Sequence, residues 1–107
     1  MSKGTVFIWN NAHGLFTIAL ALECSSDCEE EVYEAGKFLE SLGSGVILTW
    51  SESLKRIVLI TRTPLKLTPE KLREIGARLE GEGWEVRVAK EVDVDSVSSD
   101  VANGTDA

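Results

Sequence analysis

"LFTIALALECSSDCEEEVYEAGKFL", residues Leu15 to Leu39, changes its period halfway along, and that change decides the fold. Up to Cys24 the side chains alternate. Phe16, Ile18, Leu20, Leu22 and Cys24 fall on one face of a strand, with Leu15, Thr17, Ala19, Ala21 and Glu23 on the other. From Cys28 the apolar residues Val32, Ala35, Leu39 and Leu42 recur three or four apart, which is the stripe of an amphipathic helix. Ser26 with Glu29 three residues later reads as a capping box, and Gly43 suits the residue after the last turn, so the spacing predicts a helix over Asp27 to Leu42.

Working outward, Thr5–Trp9 is β-branched and aromatic, and "NNAHG" at Asn10–Gly14 breaks it, which predicts a hairpin with a five-residue loop. Beyond the helix, Gly45–Trp50 and Leu54–Arg62 read as a second hairpin, with Ile57–Ile60 buried on both faces. "LTPEKL" places Thr68 as a cap, Pro69 in the first helical position, and Leu67 and Leu72 as a hydrophobic staple. Leu72, Ile75 and Leu79 then form a second stripe, before Trp84, Val86 and Val88 alternate in a last strand. The order ββαββαβ predicts an α+β two-layer sandwich: a mainly antiparallel sheet with two helices on one face. It is ferredoxin-like βαββαβ with an extra N-terminal strand.

At 107 residues the chain has the length of one domain with a modest core. The domain is assigned to residues 1–92. Residues 93–107, with four aspartates and no base, are expected to form an acidic mobile tail. Asp93-x-Asp95 opens like a calcium loop, but Ser98 and Gly104 stand where an EF-hand needs glycine and glutamate. The longest apolar run, Leu15 to Leu22, is far short of the ~20 residues of a membrane span. Without a signal-peptide pattern, the expected location is cytoplasmic.

Charge is unevenly spread. Residues 23–40 hold seven acids and one base, whereas residues 55–90 hold nine bases and five acids. The net charge of −7 argues against a surface built wholly for nucleic acid. The basic half still makes Arg56 and Arg62 the candidate nucleic-acid contacts, although no aromatic residue occurs between them for base stacking.

Three further sites are indicated. Asp27, Glu30, Glu31 and Glu34 recur at i, i+3, i+4 and i+7 along one helix face, where a hard divalent cation such as calcium would relieve their repulsion. The small, uncharged outer positions Thr17, Ala19 and Ala21 suggest a sheet face covered by a second copy or a protein partner, and this sets the leading expectation: a non-enzymatic interaction module, a dimer or a partner-binding domain. Cys24 and Cys28 lack the spacing of zinc or CxxC motifs and are expected as core thiols, close enough for a redox pair to stay open. His13, the one histidine, has no carboxylate in residues 1–22 to orient it as a base. Neither a phosphate-cradling loop nor a nucleophile elbow is present, because "GSG" at Gly43–Gly45 runs from helix to strand.

Overall fold

The computed structural model describes residues 3–12, 14–24 and 26–89. The expected tail, with its calcium-like start, and His13 lie outside the described residues. The elements run β1 (Gly4–Ala12), β2 (Leu15–Leu22), α1 (Glu29–Ser41), β3 (Val46–Ser51), β4 (Arg56–Thr61), β5 (Leu65–Lys66), α2 (Pro69–Gly81) and β6 (Trp84–Ala89). This is the expected α+β order with one short strand added. The six strands make one mixed sheet in the order β3-β4-β2-β1-β6, with β5 pairing the start of β2.

All pairings are antiparallel except that of β1 with β6. A ferredoxin-like plan would set β2 beside β6. Here β1 lies between them, antiparallel to β2 and parallel to β6. The first half keeps the split βαβ arrangement, since β2 and β3 run in the same direction with β4 between them. The second crossover, from β4 through α2 to β6, passes over two strands instead of one.

Both helices cover one face. Val6, Ile8, Ile18, Leu20, Leu22 and Leu59 of the sheet pack with Ala35 and Leu39 of α1 and with Ile75 and Leu79 of α2. The opposite face has its own apolar cluster, in which Phe7 and Trp9 of β1 and Val58 and Ile60 of β4 flank Ala19 and Ala21 of β2. β2 is therefore buried on both sides. That explains why its second face is small: short alanines sit between large residues on the neighbouring strands, Phe7 opposite Ala19 and Ala19 opposite Ile60.

Local chemistry accounts for the boundaries. α2 begins as expected, with Thr68 Oγ1 accepting from the Lys71 amide and Pro69 at the first turn. The first hairpin is tighter than expected. β1 continues through Asn10 and Asn11 by an irregularity before Ala12, so only two positions remain between the strands, and Asn11 Nδ2 donates to Thr17 Oγ1 at 2.7 Å. β5 carries only two residues, too few for alternation to show.

Gly4 sits where the crowding is greatest. Its φ is +147°, and an added Cβ would collide with the Ala21 carbonyl oxygen and meet Trp84 Cζ3 at 3.0 Å. In contrast, a Cβ on Gly76 in α2 would make only an ordinary contact with Val86 Cγ1 at 4.0 Å. Gly4→Ala is expected to cost about 2 kcal/mol or more, and Gly76→Ala to add about 0.5–1 kcal/mol by helix propensity. Urea unfolding midpoints moving in opposite directions are the check.

Candidate functional site

The junction of β2 and α1 departs from its expected form. Cys24 and Cys28 are not free thiols. They form a disulfide with Cα atoms 6.0 Å apart, within the range such a bridge needs. Four residues of separation force the chain to double back, and Asp27 takes a left-handed backbone at φ +52°. The helix accordingly starts at Glu29, two residues later than the capping box predicts; Cys28 is the N-cap, and among the described residues no side chain caps the end. Asp27 thus precedes α1, and it lines a shallow depression together with Glu29, Glu30 and Glu31.

The calcium reading loses its geometry here. Among the described residues no three His, Cys, Asp or Glu side chains come together as a metal would require. Glu30, Glu31 and Glu34 do lie near one another in sequence on α1, but a straight helix spreads its carboxylates along a line, while a cation wants them around a point. Instead these three residues line the wall of a cavity of about 460 Å³ on the helix side of the sheet.

The expected sheet-face contact also changes. Ala19 and Ala21 are fully buried within the chain, and Thr17 is half-buried and accepts the hydrogen bond from Asn11. Ala19 and Ala21 therefore offer no surface to a partner, and Thr17 offers only part of its own. The larger exposed apolar side chains lie elsewhere: Leu48 (59% exposed) and Trp50 (49%) on β3, Val88 on β6 and Tyr33 on α1.

Of the two candidate nucleic-acid arginines, Arg56 is committed inside the fold. Its guanidinium donates to Thr5 Oγ1 at 3.3 Å and lies 3.6 Å from a Glu23 carboxylate oxygen. Arg62 is exposed beside Gly45 at the start of the β3–β4 hairpin. They are not brought together as a phosphate-binding pair. The basic half contains helix pairs as well, Lys71 with Glu74 and Arg78 with Glu82, which leaves fewer free cations than the charge count suggests.

The residues missed by periodicity are those of the β3 edge. β3 pairs only with β4, so its other side is free among the described residues. Arg62 N–H donates to the Gly45 carbonyl at 2.8 Å, and these residues oppose one another in the β3–β4 register. Hydrogen-bonded pairs alternate along an antiparallel ladder. Ile47, Thr49 and Ser51 therefore turn their main-chain groups to β4, while Val46, Leu48 and Trp50 turn theirs outward. At the end of this strand, Trp50 Nε1–H donates to Glu52 Oε2 at 2.7 Å and Lys55 Nζ lies 3.3 Å from Oε1. The Trp50 hydrogen bond first, and Lys55 second, hold the Glu52 carboxyl below its ordinary range. The signal that could have revealed the edge was composition: "VILTWS" carries no charge and no proline.

No helix of the described residues is long and apolar enough to cross a membrane. Closing a short loop by a disulfide is worth about 2 kcal/mol on chain-entropy grounds. Reduction, or replacement of both cysteines by serine, is expected to lower the unfolding free energy by about that amount, and intact-mass measurement before and after alkylation reports the bond itself. No family model matches the chain, and neither a curated protein nor a solved structure is significantly similar to it.

Proposed function

We propose that the chain is a protein-interaction module that self-associates by adding strand to strand at β3. The observation that carries this reading is an uncharged six-residue edge with Leu48 59% and Trp50 49% exposed. Unpaired main-chain donors and acceptors on a flat apolar edge template another strand, and proteins that avoid such pairing place charges, proline or bulges there. The other edge, β6, has such a device: Glu85 and Arg87 sit on it, exposed and paired with each other at 3.3 Å. β3 has none.

A second copy is the occupant that fits best, because the edge is self-complementary. An antiparallel pair centred on Leu48 sets Leu48 opposite Leu48 of the partner copy, and Val46 opposite Trp50. In that register Val46, Leu48 and Trp50, the three residues with outward main-chain groups, face one another across a two-fold axis. From Val46 to Trp50 each cross-strand pair is then apolar or Ile47 with Thr49, the kind of contact that stabilises sheets. Centring on Thr49 instead would place Val46 against Glu52. So short an edge buries little area, which places the dimer among weak, concentration-dependent assemblies.

The disulfide bears on where this happens. Such bonds persist in oxidising compartments and are rare in a reducing cytosol. This weighs against the expected cytoplasmic location.

Light scattering over a concentration series is expected to show the wild-type mass rising toward twice that of the monomer, with Leu48→Lys monomeric throughout. Leu48→Cys is expected to form a covalent dimer across the two-fold axis, since directly opposed residues of a hydrogen-bonded pair stand about 5.5 Å apart. Val88→Cys, on the blunted edge, serves as the control. A wild type that stays monomeric at millimolar concentration contradicts the reading.

A further inference from the structure

We infer that the cavity between α1 and α2 binds a linear polyamine, a molecule of ammonium groups separated by short methylene runs. The inference is independent of the β3 edge and rests on the shape, floor and charge of the cavity. Packed helices stand about 8–10 Å apart, and neighbouring strands about 4.8 Å, so one helix covers about two strands. Two helices would roughly cover a four-stranded sheet. With β1 inserted between β2 and β6, the row has a fifth strand, and residues of α1, α2 and the strands beneath them line one cavity.

The cavity has a volume of about 460 Å³, a size ordinary for small-ligand sites. Its apolar floor and sides come from Leu20 and Leu22 of β2, Ala35 and Phe38 of α1, Leu79 of α2 and Trp84 of β6. Five glutamates line it, with Lys3 as the one lining cation among the described residues. Two of the five are partnered, Glu23 with Arg56 and Glu82 with Arg78. Glu30, Glu31 and Glu34 form no ion pair with any described residue.

Charge and shape together select the occupant. A cleft with low-dielectric walls focuses the field of its carboxylates and concentrates cations. A metal ion is a poor match, because the carboxylates do not converge. Glu30 and Glu34 lie one turn apart, about 6 Å along the helix axis, which suits charges spaced along a chain. The methylenes between such charges would lie on the apolar floor. A native cation already exploits an aromatic wall of the cavity: the Arg78 guanidinium stands 5.1 Å from the centre of the Phe38 ring.

The test uses spermine as the probe on the oxidised full chain, at a concentration low enough for the monomer. The three tryptophan indole N–H resonances are followed by NMR, and Trp84 in the cavity floor is distinguished from Trp50 on β3. A saturable shift of Trp84 is expected, with Trp50 unmoved, and with the midpoint raised about fivefold or more in Glu30→Gln/Glu34→Gln, because each exposed pair contributes modestly. Both substitutions are on exposed positions, so the variant folds as the wild type does. A linear response, equal shifts at Trp50 and Trp84, an unchanged midpoint in the double variant, or the same shift from magnesium at matched charge would each overturn the inference. Binding of a lysine-rich peptide with no response to spermine would overturn it as well.

Discussion

Strand β1 is hydrogen-bonded on both sides, and the rest of the molecule follows from that. Paired antiparallel to β2 and parallel to β6, it sits inside the sheet with Val6 and Ile8 under the helices and Phe7 and Trp9 on the opposite face. A strand so placed must tolerate close neighbours along its length. Gly4 provides the one position where the Ala21 carbonyl and the Trp84 ring approach too closely for any side chain. β1 separates β2 from β6, and the acidic-walled cavity is lined by residues of β2, α1, α2 and β6.

The same pairing order decides which strands are left at the edges. Among the described residues β6 ends one side of the sheet and carries Glu85 and Arg87; β3 ends the other and carries no charge from Val46 to Ser51. An antiparallel hairpin leaves half of the main-chain groups of its outer strand unpaired, and on β3 those groups belong to the residues with the most exposed side chains of the strand, together with Val46. At the far end of β2, the disulfide fixes where the chain turns into α1. It postpones the helix to Glu29, so that the first turn carries Glu29, Glu30 and Glu31 with no side-chain cap, and their charge favours the helix N-terminus in place of a cap.

Much of this was legible in the residues, and the failures have physical causes. Alternation in Leu15–Leu22 and the stripe Val32, Ala35, Leu39 identify a strand and a helix, because one buried face leaves a clean period. Thr68 and Pro69 mark α2 by chemistry that acts within one turn. The position of β1 was not legible, since parallel pairing with β6 joins residues about eighty positions apart and leaves no local pattern. Ala19 and Ala21 looked like an interface because a small apolar face resembles a covered one; in the structure they are buried in a cluster with Phe7, Trp9, Val58 and Ile60 of the neighbouring strands. The carboxylates Glu30, Glu31 and Glu34 were visible as a line of charge, whereas the apolar floor beside them comes from three other elements. The pairing of Cys24 with Cys28 depended on Asp27 adopting a left-handed backbone, which spacing alone does not reveal.

The central claim is that the β3 edge is a strand-pairing surface, and amide hydrogen exchange along β3 tests it most directly. Ile47 and Thr49 donate toward β4 and are expected to be protected at any concentration. The outward amides of Val46, Leu48 and Trp50 are expected to exchange quickly in dilute protein and to become protected together as concentration rises. Rapid exchange of those three amides at every concentration would contradict the account.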